Sequence, residues 1–316
     1  MAPCGAFCVQ QLVSACVYCV GVPFYCLFLV SVWRGRAADE RLRASFFSLC
    51  LSCGLADLEA AFQQWALSRP RILGLLFHFY SALDPWAARL SMLLAVQQGV
   101  TQVLGVTMIS VNRYTAILYP ARHEEWWSGS TLKWMLWLQW GVPCFLTYAC
   151  YGPFVDMSFE RLVPNSSVVY IQFNDPYAAN IFAGISVFYV ASCLLMIGCY
   201  SAMVVQVACR SEYSQLQWVE IKLAVSGLII FLQAAGMAYT TAVLTLSSDF
   251  DSVVAFYYAS MDLLCLANPF AVAALSSTVR RAMRQLLLRL PRRRKTAARP
   301  SAAARSNVAP TSAQHA

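Results

Sequence analysis

The sequence predicts an all-α membrane protein, a bundle of seven transmembrane helices followed by a short amphipathic helix. Three observations carry that expectation. Of 316 residues, 59% are hydrophobic and 12% charged, with a mean hydropathy of +0.56; a soluble domain carries roughly 25% charged residues. The apolar residues gather in seven runs, near 8–33, 44–66, 89–118, 132–151, 177–207, 220–246 and 253–275, each matching the roughly 20 residues that a spanning helix needs. The connections at 34–43, 119–133 and 208–222 and the tail hold 18 of the 23 Lys and Arg, or 19 with Arg113, against Arg69, Arg71, Arg89 and Arg161 opposite. The positive-inside rule then places the N-terminus outside and the tail in the cytoplasm. Residues 1–290 read as the seven-transmembrane domain, and 291–316 as a basic, then disordered, cytoplasmic tail.

The net charge of +8 does not point to nucleic acid, because ten of the basic residues lie after residue 279. Nor do the 13 cysteines read as a disulfide framework. Cys16, Cys19, Cys26, Cys50, Cys53, Cys193, Cys199 and Cys265 fall inside apolar runs, where a thiol packs as a small hydrophobe. Without His or acidic neighbours their spacings make a poor zinc site. No metal or cofactor is expected.

The first run has neither a basic segment nor a small-residue cleavage pattern before it, so it reads as a span. Pro23 lies inside it, which a membrane helix tolerates because neighbours re-satisfy the freed carbonyl. Residues 34–43 form a short charged turn. The second span carries Asp57, Glu59, Gln63 and Gln64. An ionisable group at that depth must face the bundle interior or a wet cavity. By itself Asp57 reads as a protonated acid bonded to a neighbouring helix. Glu59 lies about 200° round the helix from it and has no place in the same cavity. Residues 68–88 read as an outer loop.

The third span closes with Thr107–Pro120, TMISVNRYTAILYP, which sets Asn112, Arg113 and Tyr114 where hydrocarbon meets water. An arginine there is either an interfacial residue that snorkels or a functional one. In the inner loop that follows, His123 reads as solvated, and Trp126 and Trp127 as an aromatic belt. The fourth span repeats Trp134, Trp137 and Trp140 at every third residue, which reads as packing. Residues 152–176 form a polar outer loop that holds the chain's one glycosylation acceptor, Asn165-Ser166-Ser167. Gly227 and Gly236 in the sixth run permit bending or close packing. The seventh carries Asp262 and Asn268-Pro269. The proline removes a backbone bond and lets Asn268 reach a polar neighbour such as Asp57. Asp262 stands about 9 Å further out; it is either a neutral acid bonded to a neighbouring helix or an anchor for a ligand. In 276–290, Val279, Met283, Leu286, Leu287 and Leu290 share one face, with Arg280, Arg281 and Arg284 elsewhere. That pattern suits a helix lying on the inner membrane surface, and Arg292–Lys295 adds attraction for anionic lipid.

Asn112-Arg113-Tyr114 resembles the Asp/Asn/Glu-Arg-Tyr motif that ends helix three of rhodopsin-like receptors. Leu55-Ala56-Asp57 resembles their helix-two motif. Asn268-Pro269 matches their Asn-Pro-x-x-Tyr, with Val272 in place of the tyrosine. More narrowly, NRYTAILYP followed by HEEWW, and the Pro23 helix ending in Trp33, is similar to nematode serpentine chemoreceptors, the class gamma (Srg) group and its close relatives. Departures are plain: no Cys stands near the outer end of the third span, 151–192 contains none, and the fifth and sixth runs lack the usual prolines.

That resemblance implies a G-protein-coupled chemosensory receptor of the plasma or sensory-cilium membrane. Arg113 would contact a heterotrimeric G protein when the sixth helix swings out, with Asn112 and Tyr114 shaping its rest position and Glu220 or Glu124 supplying a counter-charge. Asp57, Asn268 and Pro269 would form the polar network. The pocket for a small, largely apolar ligand would lie near Trp86, Met92, Gln97, Phe182, Tyr239, Tyr257, Tyr258 and Asp262. Two other readings stand beside it: a structural or chaperoning seven-helix protein, and a transporter. His78, His123 and His315 are too scattered for an enzyme site.

Overall fold

The computed structural model describes residues 4–75, 77–151, 156–161, 169–173, 177–209 and 250–297, with scattered helical positions between 225 and 239. The chain is an all-α membrane protein. Its first helix is Cys4–Gly35, with Pro23 inside; the second starts at Ser45, the third is Trp86–Leu118, the fourth Gly129–Tyr151 and the fifth Tyr177–Cys209. The seventh span is Phe250–Leu275. Five described stretches are long and apolar enough to cross a membrane: Val9–Gly35, Ser45–Arg71, Trp86–Leu118, Ala183–Cys209 and Tyr258–Leu275. The fourth helix carries Lys133, Gln139 and three tryptophans. Most of the sixth run, including Gly227, lies outside the described residues.

The second helix differs most from expectation. It does not stop near residue 66 but passes through a π-helical turn, Gln64–Ser68, into a last turn, Arg69–Ile72. Pro70 is accommodated because it falls in the first turn of that segment, where its missing N–H is not needed. Arg69 and Arg71, read from sequence as outer-loop charges, therefore belong to a span. The expected outer loop also holds a short helix, Phe77–Ala82, and the third span begins three residues early. The inner loop after it is a helix, Pro120–Trp126, again opened by proline.

Between the fourth and fifth helices two strands, Met157–Arg161 and Val169–Phe173, pair antiparallel with Phe159 opposite Ile171. Both side chains pack against the outer end of the third helix, and the Phe159 N–H donates to Asp84 Oδ1 at 3.0 Å. Asn165 falls between the strands in sequence, outside the described residues. Expression in eukaryotic membranes should give a band that drops on deglycosylation and that Asn165→Gln abolishes. A glycan on an acceptor introduced at 208–219 would overturn the orientation.

The third helix is the packing centre, touching the second, fourth and fifth. At Gly105 it comes close to two neighbours at once, since a Cβ there would run into Cys53 of the second helix and Gln139 of the fourth. Gly105→Val should therefore cost about 1–3 kcal/mol by overpacking, read as a lower melting temperature in detergent; an unchanged melting temperature would contradict this approach. A second core joins the first, second and seventh helices through Tyr25, Phe28, Leu49 and Val272. The terminal helix, Ser277–Ala297, buries Val279 and Met283 in that core while Leu287 and Leu288 stay exposed. It runs seven residues past the boundary expected at 290, so Arg292–Lys295 continues a helix rather than opening a tail.

Candidate functional site

Three polar layers cross the apolar bundle. At the inner end, Arg113 is buried, 2% exposed, because its guanidinium lies over the Phe46 ring, 4.3 Å from the centroid. Its Nε donates to Asn112 Oδ1 at 3.2 Å and its Nη2 donates to the same oxygen. Asn112 in turn donates from Nδ2 to Ser45 Oγ at 2.8 Å, tying the motif to the start of the second helix. A neutral amide thus occupies the place where a carboxylate would hold the arginine. Glu124 is exposed, and Glu220 lies outside the described residues. Tyr114 packs beside the cluster of Met196, Tyr200 and Met203 on the fifth helix.

The inner helix is stitched to this end. Trp127 Nε1 donates to Thr115 Oγ1 at 2.9 Å, and His123 Nδ1 lies 3.1 Å from the same hydroxyl. His123 is therefore not the solvated side chain that its polar neighbours suggested. Burial first, then the charge of Arg113, pushes its pKa down to about 4, so it is neutral at physiological pH. Trp126 remains partly exposed, while Trp127 is buried.

In the middle layer Asp57 is buried between four helices. Tyr25 OH donates to its Oδ2, Gln102 Nε2 donates to Oδ1 at 2.7 Å, and Asn268 Nδ2 reaches Oδ2 at 3.5 Å. Pro269 follows Asn268 inside the seventh helix. The fourth helix attaches through Gln139, which accepts from Ser52 Oγ at 2.7 Å, and through Trp140, whose Nε1 donates to the same hydroxyl at 2.9 Å. Trp134 and Trp137 face outward. Tyr25 and Gln102 were not singled out from sequence. The signal for Gln102 was available in Gln98 and Gln102, amides one helical turn apart in an apolar run, which need partners if buried. Glu59, left unplaced by the sequence, is half-buried and faces Gln97 of the third helix.

At the outer end the structure shows what the sequence did not. Arg69 is 2% exposed and pairs with Asp262. Asp262 also accepts from Ser14 Oγ, and Arg69 Nη1 donates to Gln11 Oε1 at 2.6 Å. The guanidinium lies 4.5 Å from the Trp65 ring centroid, 5.7 Å from Tyr18 and 5.6 Å from Tyr258. The acid is thus the anionic half of an ion pair that joins the first, second and seventh helices. The other pocket candidates are spread out. Met92 and Gln97 lie on the third helix, with Met92 half-buried near Tyr189 and Gln97 bonded to Thr101. Tyr239 is exposed against Phe256, Trp86 is exposed, and the side chains of Phe182 and Tyr257 are outside the described residues. Tyr258 and Asp262 come together at Arg69.

Two comparisons bear on this arrangement. The family model for serpentine type 7TM GPCR chemoreceptor Srv matches residues 14–288. Serpentine receptor class V-1 of Caenorhabditis elegans is 25% identical over 279 residues, which cover 86% of this chain and 88% of that protein. Class V, not the class gamma suggested by the short strings around Arg113 and Pro23, is therefore the matching class. Helix-end strings fill a small part of the chain, whereas these matches run through nearly all seven spans.

Proposed function

The chain belongs to the serpentine type 7TM GPCR chemoreceptor family Srv, and from that premise we propose that it is a chemosensory receptor coupled to a heterotrimeric G protein. A small molecule enters the outer half of the bundle, and Asn112, Arg113 and Tyr114 meet the G protein at the inner end of the third helix. The observation that supports this reading best is the burial of Arg113 at the inner end of the third helix, bonded to Asn112 and lying over the Phe46 ring. Asp57, shared by Tyr25, Gln102 and Asn268, gives the same four helices a polar contact that can rearrange without exposing a bare charge.

The test is a second-messenger assay in cells that carry the chain at their surface with a co-expressed Gα, challenged with a panel of small organic molecules. A saturable response, absent from cells without the chain, is the expected outcome. Normal surface levels with no response to any compound, and no basal signal above that of empty cells, would favour a structural or chaperoning role.

A further inference from the structure

Around the outer ion pair, five buried N–H groups have no hydrogen-bond acceptor among the described residues: Gln11 Nε2, Trp65 Nε1, Arg69 Nε, and Nε and Nη1 of Arg71. They belong to one neighbourhood. Gln11 and Trp65 touch Arg69 directly. Tyr258 covers the Arg69 guanidinium with its ring and meets Arg71 with its hydroxyl. Arg71 itself lies over Phe159 of the outer hairpin, 5.7 Å from the ring centroid. Asp262 pairs with Arg69, and Arg71 has no carboxylate partner among the described residues, so the described groups of this neighbourhood carry an excess of one positive charge.

Buried donors without acceptors are rare in folded proteins, and an unpaired buried cation is more costly than an unpaired amide. Five of them at one place, two on Arg71, suit an acceptor-only, negatively charged group. A carboxylate is such a group: it accepts at about four lone-pair sites, and its two oxygens match the arginine fork. A monoanion balances the charge excess. The rings of Tyr18, Trp65, Tyr258 and Phe159 supply apolar surface for an organic body. Asp262 already shows the chemistry, since its own carboxylate sits on Arg69 and Ser14.

We propose that this cluster, where the outer ends of the first, second and seventh helices meet, is the recognition site for a small organic carboxylate. The ligand's oxygens take the open N–H groups of Arg71, Trp65 and Gln11 beside the Arg69–Asp262 pair, and its body lies against the aromatic rings. The assignment rests on the receptor reading above, and it names the ligand class of that receptor.

The test uses the full chain in lipid nanodiscs and needs no G protein. Thermal stabilisation is measured with butyrate, hexanoate and benzoate, with butyramide, hexanamide and benzamide, and with sodium chloride at matched ionic strength. The acids should raise the melting temperature in a saturable way, and the amides and chloride should not. Arg71→Gln should weaken the acids' apparent affinity about 10- to 100-fold, the range for a charged hydrogen bond. Trp65→Phe, which keeps the ring and removes the N–H, should weaken it roughly 3- to 10-fold, and it serves as the test if Arg71→Gln does not fold. Stabilisation by no acid, equal stabilisation by amides or by chloride alone, or full affinity in these variants would overturn the carboxylate assignment. Binding that follows this pattern without any G-protein response would leave the site standing and count against the receptor reading.

Discussion

Arg69→Ala should lower the stability of the folded bundle by about 3–5 kcal/mol and sharply reduce surface delivery, because it strands the Asp262 carboxylate among apolar helices. The pair is not a surface ion pair, for which water and salt would erase most of the effect. Arg69 is enclosed by Trp65, Tyr18 and Tyr258, and its partner is nearly as buried. The converse change, Asp262→Ala, should be similarly damaging, since it leaves a guanidinium with Gln11 as its remaining polar contact at that side. Removing both charges together should recover part of the loss. Desolvating two ions is itself costly, and a neutral replacement of the pair avoids that cost. Thermal unfolding of the two single variants and the double variant in one detergent forms a mutant cycle. Two single changes that each cost under about 0.5 kcal/mol, the usual range for exposed positions, would show that the pair is not buried in the membrane protein.

Arg113→Ala should behave in the opposite way, keeping the fold and losing the signal. Its removal leaves the Asn112 amide with its own bond to Ser45. The fold loses the contact over Phe46, among others, a cation–π interaction worth roughly 0.5–2 kcal/mol. Surface levels should therefore stay within about twofold. Coupling should fall roughly 10- to 100-fold, since one charged hydrogen bond to a partner contributes about 1.5–3 kcal/mol. A collapse of surface delivery with normal signalling per molecule would make Arg113 a packing residue at the membrane interface.

What could be read in the sequence followed from how expensive polar groups are in hydrocarbon. Asp57 and Asn268 had to find partners, and they lie 3.5 Å apart. The runs themselves were visible for the same reason, down to the tail helix that buries Val279 and Met283. Arg69 was hidden because Pro70 reads as the end of a helix. The π-helical turn before it lets the second helix start again, and two charges expected in water enter the bundle. Asp262 could not be assigned while its partner was placed in a loop. Tyr25 was missed because a tyrosine in an apolar run reads as packing; its hydroxyl matters only once Asp57 is known to face it. The hairpin between the fourth and fifth helices was hidden by a polar composition that also suits an irregular loop. Short motifs, finally, identified the kind of receptor but not its class.

Guanine-nucleotide exchange on purified heterotrimers of each Gα class, measured with the wild-type chain and Arg113→Ala side by side in nanodiscs, tests the coupling proposal most directly. The wild type should accelerate exchange on at least one heterotrimer, in the basal state or with an active ligand, and Arg113→Ala should leave it near the intrinsic rate although both chains are equally folded. Acceleration that survives in Arg113→Ala, or a folded, ligand-bound wild type that leaves every heterotrimer at its intrinsic rate, would contradict it.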